Sequence, residues 1–230
     1  MEEGEYIMER LTLSNVDLIE CMGSDLTVAN AARVSFNKHV EQFSAGDERL
    51  IKFLAEHNHW TPFGHCSLQF RIKAPIFVAR QLVKHQVGLV WNEVSRRYVQ
   101  SEPELFRPES WRANPENKKQ GSSETEEVVW LLINELSVDD AVDRLGEKAV
   151  NLYNELIDSG VCAEQARMVL PQSLMTEWYW TGSLFAFSRV CNLRCAKDTQ
   201  KETREIADLI SLNLKDKFPV SWKYLVGDEA

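Results

Sequence analysis

The stretch CSLQFRIKAPIFVARQLVKHQVGLVWNEVSRRYVQ, residues 66–100, contains the patterns that decide the fold. Its first part, Cys66–Ile72, alternates polar and apolar side chains, which predicts a half-buried strand. Pro75 suits the first turn of a helix, and we expect that helix to continue until Gly88 interrupts it. The third part, Trp91–Gln100, is rich in β-branched and aromatic residues and predicts a second extended segment. Strands and helices in this order favour an α+β protein.

The rest of the chain adds mostly helices. Apolar periodicity predicts helices over residues 27–34, 47–57, 126–136, 138–159, 163–170, 183–193 and 199–217. A first strand is expected within residues 6–22 and a last one at residues 174–180. Thr199 and Glu202 have the spacing of a capping box. We expect a single α+β domain over residues 1–230, in which the segment Lys118–Thr125 (KKQGSSET) is a mobile surface loop.

Composition and charge exclude several classes of protein. Apolar residues make up 44% of the 230 residues and charged residues 27%, as in ordinary soluble proteins. No apolar run approaches the roughly 20 residues of a membrane span, and the acidic start MEEGEY lacks a secretion signal, so we expect a cytoplasmic protein. A net charge of −9 argues against a nucleic-acid surface but permits a small anionic ligand bound by locally gathered arginines. The five cysteines contain no CxxC pair, which favours free thiols.

The strongest local pattern is Asn92–Tyr98, with the sequence NEVSRRY. If this segment is extended, Glu93, Ser95 and Arg97 share one face of the strand. In such a row the guanidinium suits a phosphate or carboxylate, the hydroxyl adds a donor, and the carboxylate can accept from a sugar hydroxyl or order a water. An ordinary solvated face with a Glu–Arg pair explains the same alternation, and the pattern alone favours that interpretation.

Two further polar groupings allow a functional and a structural interpretation. Gln81, Lys84 and His85 fall on one stripe of the predicted helix, which faces either a ligand or, more commonly, solvent. Arg194 lies where a helix is expected to break, so it either caps that helix or contacts a ligand.

A metal site is not expected. His57, His59, His65 and Cys66 carry zinc-ligand chemistry, but their spacing matches no standard zinc pattern. The chain also lacks the nucleophile-elbow, phosphate-loop and dinucleotide-binding motifs. Any chemistry must therefore come from a cofactor or from polar groups that orient the reactants.

Together these segments resemble the flavin-dependent thymidylate synthases. The right half of that family's signature is present in full as Asn92-Glu93-Val94-Ser95-Arg96-Arg97-Tyr98. In the left half, His85 stands one residue farther from Asn92 than in the family, and Lys84 and Gln86 replace two arginines. Other segments that resemble the family in the same order are residues 31–35 (AARVS), 61–65 (TPFGH), 166–171 (ARMVLP) and 192–194 (NLR).

The resemblance implies a fold with a central, mainly antiparallel sheet flanked by helices, assembled as a homotetramer with shared active sites. It implies that FAD relays the methylene group of 5,10-methylenetetrahydrofolate to dUMP, that NADPH reduces the flavin, and that no metal and no enzyme nucleophile take part. The base-binding arginine would be Arg194, the catalytic residue. The residues implied in dUMP binding are Gln81, Lys84, Glu93, Val94, Ser95, Arg96, Arg97, Arg167 and Arg194, with Arg167 supplied by a neighbouring subunit. Those implied in FAD binding are Ser35, His65, Lys84, His85, Gln86, Asn92, Glu93, Asn192 and Asp198.

Two alternatives stay open at this point. A dUMP-binding protein of the same fold that has lost flavin catalysis would explain the altered left half of the signature. Asp198 also stands where the family often has a flavin-contacting histidine. A metal-dependent nucleotide hydrolase would instead use Glu93 and the histidines as ligands.

Overall fold

Twelve helices and strands are present in the computed structural model, which describes residues 15–114, 122, 128 and 136–227. In chain order they are β1 (Val16–Met22), α1 (Asp25–Arg33), α2 (Ala45–Glu56), β2 (Ser67–Pro75), α3 (Ile76–Leu82), β3 (Leu89–Glu93), α4 (Val138–Asp158), α5 (Ala163–Ala166), β4 (Met175–Ser183), α6 (Leu184–Arg194), α7 (Lys201–Lys217) and α8 (Pro219–Leu225). The α+β class is confirmed. The predicted helix over residues 126–136 and the predicted loop over residues 118–125 lie outside the described residues, apart from Ser122, Val128 and Leu136.

The four strands form one sheet in the order β1-β2-β4-β3. β1 pairs with β2 in the antiparallel direction, with Val16 opposite Ile72 and Met22 opposite Ser67. The alternation predicted for β2 is confirmed, because Leu68, Phe70 and Ile72 are all buried.

The chain divides into two compact units, each built from several segments. Within the described residues, unit 1 comprises residues 73–81, 93–114, 122, 128 and 136–177, and unit 2 comprises residues 15–72, 82–92 and 178–227. That these residues act as one domain stays a prediction.

In unit 1, α4 packs against the start of α3 and the segment before β4. Leu105, Val150 and Leu174 are buried together, and Ile76 and Leu170 pack against them. Backbone bonds hold these segments in register, since Ile76 N–H donates to the Leu174 carbonyl at 2.9 Å. α4 ends at Asp158, within one residue of the predicted end at Ser159.

Unit 2 has an aromatic core. The Phe187 ring lies edge-on to Phe70 and to Trp180, with centroids 5.1 and 5.3 Å away, while Trp91 stacks on Trp178 at 4.3 Å. Edge-to-face and offset contacts of this kind are the favoured aromatic geometries. β4 therefore carries two buried tryptophans into this core.

The N-terminus of α8 is capped from far away in the chain. Asp25 of α1 is 8% exposed, and its two carboxylate oxygens accept the backbone N–H groups of Val220 and Ser221 at 2.9 and 2.8 Å. These are among the N–H groups that have no partner within their own helix. A buried aspartate thus orders the C-terminal helix.

Three local predictions were wrong. The segment 91–100 is not extended throughout, because β3 ends at Glu93 and Tyr98 N–H closes a turn onto the Ser95 carbonyl at 3.0 Å. α3 ends at Leu82, so residues 84 and 85 lie beyond it and share no helical stripe with residue 81. Thr199 is not a cap, since α7 begins at Lys201 and the Thr199 hydroxyl donates to the Leu193 carbonyl at 3.1 Å.

Candidate active site

A cavity of about 340 Å³ in unit 1 has the size of a small-molecule site. Its apolar lining comes from Ile76, Val94, Val99, Leu170, Leu174 and Met175. Its charged lining comes from Lys73, Glu93, Arg96, Glu102, Glu104, Arg167 and Glu177. The lining thus combines an apolar wall with four carboxylates and three cationic side chains.

Glu93 reaches this cavity from the last position of β3. The hydroxyl of Thr176, near the start of β4, donates to Glu93 Oε1 at 2.8 Å. At the next residue of each segment, Val94 N–H donates to the Glu177 carbonyl at 2.8 Å. Sequence analysis missed Thr176, because nothing local in the sequence shows that β3 and β4 are neighbours.

Arg96 forms part of the cavity wall rather than a mobile arm. Its guanidinium donates to the backbone carbonyls of Ser101 and Glu102, the second at 3.2 Å. It also lies 5.9 Å from the centre of the Tyr153 ring. These two hydrogen bonds and the ring contact fix the position of the Arg96 guanidinium at the edge of the cavity.

Arg167 also lines the cavity of its own chain, from the short 3-10 turn that follows α5. Its Nε donates to the Glu164 carbonyl at 3.3 Å. The residue is exposed, and its two Nη atoms have no hydrogen-bond partner within the described part of the chain. Arg167 can therefore offer a planar pair of donors to a phosphate or carboxylate.

Ser95 and Arg97 do not share a face with Glu93 in the way the alternation predicted. They lie in the turn after β3, where the Arg97 backbone N–H and its Nε both approach Ser95 Oγ at 3.4 Å. The Arg97 guanidinium lies 5.0 Å from the centre of the Tyr98 ring, and neither Ser95 nor Arg97 lines the cavity. In this chain the cavity is lined by Glu93, Val94 and Arg96 instead. Gln81 is half-buried in the last turns of α3.

In unit 2, the structure brings together Arg194 and His85. Arg194 is the last residue of α6, and its Nε donates to His85 Nε2 at 3.0 Å. Burial lowers the pKa of His85, and the positive charges of Arg194 and Arg189 lower it further. The imidazole is therefore held neutral and can accept this bond, which leaves the terminal Nη atoms of Arg194 for another partner.

Four of the residues predicted to bind FAD are exposed side chains of unit 2, namely Ser35, His65, Lys84 and Gln86. None of the four has a side-chain hydrogen bond or ion pair within the described residues. Asn92, the fourth residue of β3, is also exposed.

Asn192 and Asp198 are less suited to that role. The amide of Asn192 donates to the Leu225 carbonyl at 3.0 Å, so it is already used in holding the C-terminal helix. Asp198 is exposed, and its carboxylate has the wrong charge for a phosphate.

Two glycines shape the approach of β4 to the turn before β3. Gly88 has a φ of +78°, which favours glycine, and its carbonyl accepts the Ser183 N–H at 3.3 Å. A Cβ on Gly182 would lie 2.4 Å from Leu89 Cδ2 and 2.6 Å from the Gly88 oxygen. β4 can approach the turn this closely because residue 182 lacks a side chain.

The chain is similar to a known family of enzymes over most of its length. The model of the family "Thymidylate synthase complementing protein" matches residues 17–220. A flavin-dependent thymidylate synthase of Thermus thermophilus is 35% identical over 223 residues, which cover 96% of this chain and 78% of that protein. One of Kosmotoga olearia is 36% identical over 210 residues, 90% of this chain and 88% of the relative. The chain belongs to the flavin-dependent thymidylate synthase family.

A solved structure shows the same fold. The UMP/dUMP methylase PolB from Streptomyces cacaoi, bound with 5-Br dUMP, superposes with a TM-score of 0.78 at 29% identity. The match covers 92% of this chain and 94% of PolB. The resemblance to this enzyme family and its mixed helical and antiparallel architecture are thereby confirmed.

Two cysteines, Cys66 and Cys191, are poorly suited to nucleophilic attack. All five are free, and Cys66 and Cys191 are buried. Burial raises the pKa of the Cys66 thiol to about 12 and that of Cys191 well above its usual value. A thiol held protonated is a weak nucleophile.

The described residues contain neither a metal-binding cluster nor a membrane-spanning helix. No group of three or more histidine, cysteine, aspartate or glutamate side chains is placed to hold a metal ion, as far as the described residues extend. None of the helices in that part of the chain is long and apolar enough to cross a membrane.

Proposed function

We propose that this protein methylates dUMP to dTMP, with 5,10-methylenetetrahydrofolate as the carbon donor, FAD as cofactor and NADPH as reductant. The observation that carries the proposal is the unit 1 cavity, where Glu93, Arg96 and Arg167 line one space in a chain that matches the family over residues 17–220. PolB, bound with 5-Br dUMP, supports a uridine nucleotide as the ligand.

In the nucleotide site, Arg167 binds the phosphate through its two Nη atoms. Glu93 accepts a hydrogen bond from the sugar hydroxyl or from an ordered water, and Val94 and Arg96 form the adjoining wall. Ser95 and Arg97 lie on the turn after β3, outside the cavity lining, and we retain them as dUMP contacts. We retain Gln81 and Lys84 as further dUMP contacts, with Lys84 as a second phosphate cation.

The donor set of unit 2 fits FAD in part. The exposed hydroxyl of Ser35, imidazole of His65, ammonium of Lys84 and amide of Gln86 can all donate to the cofactor's pyrophosphate or to its ring. His85, Asn92, Glu93, Asn192 and Asp198 remain proposed contacts, with the Asp198 carboxylate as an acceptor for a hydroxyl or an N–H rather than as a phosphate ligand. When bound, the flavin supplies the methylene relay and the hydride.

The remaining chemistry falls to Arg194. Its Nε is tied to His85, so the guanidinium is oriented before any ligand arrives. The two Nη atoms then hydrogen-bond the uracil edge and stabilise the negative charge that develops there as C5 becomes nucleophilic. Donors that are already oriented need no reorganisation during the reaction.

The test is an anaerobic assay of purified protein with dUMP, 5,10-methylenetetrahydrofolate, FAD and NADPH. We expect dTMP to form only when dUMP, 5,10-methylenetetrahydrofolate, NADPH and a flavin, bound or added, are all present. We also expect a yellow protein that absorbs near roughly 450 nm, as flavins do. Binding of dUMP without flavin uptake or dTMP would instead identify a nucleotide-binding protein of this fold. Hydrolysis of the nucleotide that stops when a chelator is added would instead point to the metal-dependent hydrolase.

We further propose that the protein is a homotetramer with active sites shared between subunits. Light scattering after gel filtration measures the mass against the 26.5 kDa of one chain. Because Arg167 lines the cavity of its own chain, a mixing experiment decides its origin. Inactive Arg167→Ala and Arg194→Ala proteins regain activity when mixed only if the two residues serve one site from different chains.

A further inference from the structure

The carboxylate of Glu93 is held from the neighbouring strand. Glutamate has three rotatable bonds, and Glu93 is an exposed residue at the end of its strand, so a fixed position of its carboxylate depends on bonds to neighbouring groups. Thr176 supplies one such bond, because its hydroxyl donates to Glu93 Oε1 at 2.8 Å. The bond is of the charge-assisted kind, in which a hydroxyl donates to a carboxylate.

Thr176 is itself fixed in place. Its side chain is 8% exposed and β-branched, which restricts χ1. The backbone on either side is anchored, since Met175 N–H donates to the Glu104 carbonyl at 2.8 Å and the Glu177 carbonyl accepts from Val94 at 2.8 Å. Thr176 also lines the same cavity as Glu93.

We infer that Thr176 is a positioning residue, which holds the Glu93 carboxylate toward the cavity so that it accepts the sugar hydroxyl of the nucleotide without reorganisation. This inference rests on the proposed function, because it assumes that Glu93 contacts dUMP. Without the hydroxyl of Thr176, the carboxylate loses one of the bonds that order it, so more of that ordering must take place when the nucleotide binds. Affinity for dUMP falls by the cost of that ordering.

The test compares Thr176→Val, which keeps the shape but removes the hydroxyl, with Thr176→Ser, which keeps the hydroxyl. Titration calorimetry measures the dissociation constant for dUMP on the flavin-loaded protein, and denaturant unfolding measures stability. We expect dUMP binding to weaken about tenfold for valine, or about 1.4 kcal/mol, and to stay within about threefold for serine. The matched control is Thr181→Val on the same strand, whose hydroxyl accepts from Gln69 at 3.1 Å, and its dUMP affinity should not change.

A double variant provides the second measurement. In a Glu93→Ala background, Thr176→Val should weaken dUMP binding no further, because the side chain that Thr176 positions is gone. If the valine variant does not fold, Thr176→Ala takes its place in both comparisons. Wild-type affinity in the hydroxyl-free variants, equal losses for serine and valine, or an undiminished loss in the Glu93→Ala background would each overturn the inference. If the wild-type protein binds no dUMP, the proposed function fails instead.

Discussion

Replacing Arg194 by alanine is the most direct test of the proposed chemistry. The change removes a guanidinium whose Nε bonds to His85 Nε2 at 3.0 Å and whose Nη atoms are proposed to meet the uracil edge. It leaves the exposed residues proposed to bind FAD untouched, namely Ser35, His65, Lys84 and Gln86. We therefore expect dTMP formation to fall while the flavin stays bound.

The size of the loss follows from the number of bonds. Two charge-assisted hydrogen bonds of about 1.5–3 kcal/mol each would be removed, so the upper bound is large. Removal of a single preoriented donor typically lowers kcat by a factor of about 10²–10³, or about 2.7–4 kcal/mol. Because one nitrogen of Arg194 is already committed to His85, we expect a loss of about 10²–10³ in kcat for Arg194→Ala.

The assay is single-turnover dTMP formation under anaerobic conditions, with flavin content measured by absorbance on the same sample. Arg194→Lys keeps the charge but not the planar fork, so it should recover only part of the activity. Arg204→Ala is the control, because among the described residues this arginine of α7 donates only to the Lys197 carbonyl. Turnover of Arg194→Ala at the wild-type rate would remove Arg194 from the mechanism.

Three further predictions concern stability and the thiols. Gly182→Ala should cost roughly 1–3 kcal/mol, because its Cβ would overpack against Leu89. For a protein of this size, each kcal/mol lowers the Tm by roughly 2–4 °C. The control Gly46→Ala should leave the Tm unchanged, because its Cβ would meet only ordinary contacts. Because the folded pKa of His85 is lowered below the unfolded value of about 6.5, the unfolded chain binds more protons at acid pH. The contribution of neutral His85 to the free energy of unfolding is thus complete above about pH 6.5 and is lost as the pH falls through the folded pKa. In urea unfolding, the free energy of unfolding of His85→Gln should therefore depend less on pH over that window than that of the wild type. Changing any one cysteine to alanine should leave dTMP formation largely intact, and an inactive but folded variant would contradict a mechanism without an enzyme nucleophile.

Local patterns predicted the regular elements well. Leu68, Phe70 and Ile72 alternate with polar residues, and that period of two is a property of any strand with one buried face. The end of α4 was equally readable, because Gly160 can adopt its φ of +86° without a steric penalty. The resemblance to the enzyme family needed no coordinates either, since its motifs are short, ordered and contiguous.

What the sequence determined by itself was therefore the α+β class, the family and the candidate residues. The tertiary structure alone decided where β3 ends, and hence that Arg96 rather than Arg97 lines the cavity. It also decided that Thr176 holds Glu93 and that His85 receives Arg194, residues 83 and 109 positions apart. Contacts over such separations depend on which strands and helices become neighbours, and that is set by the packing of the whole core rather than by any local period.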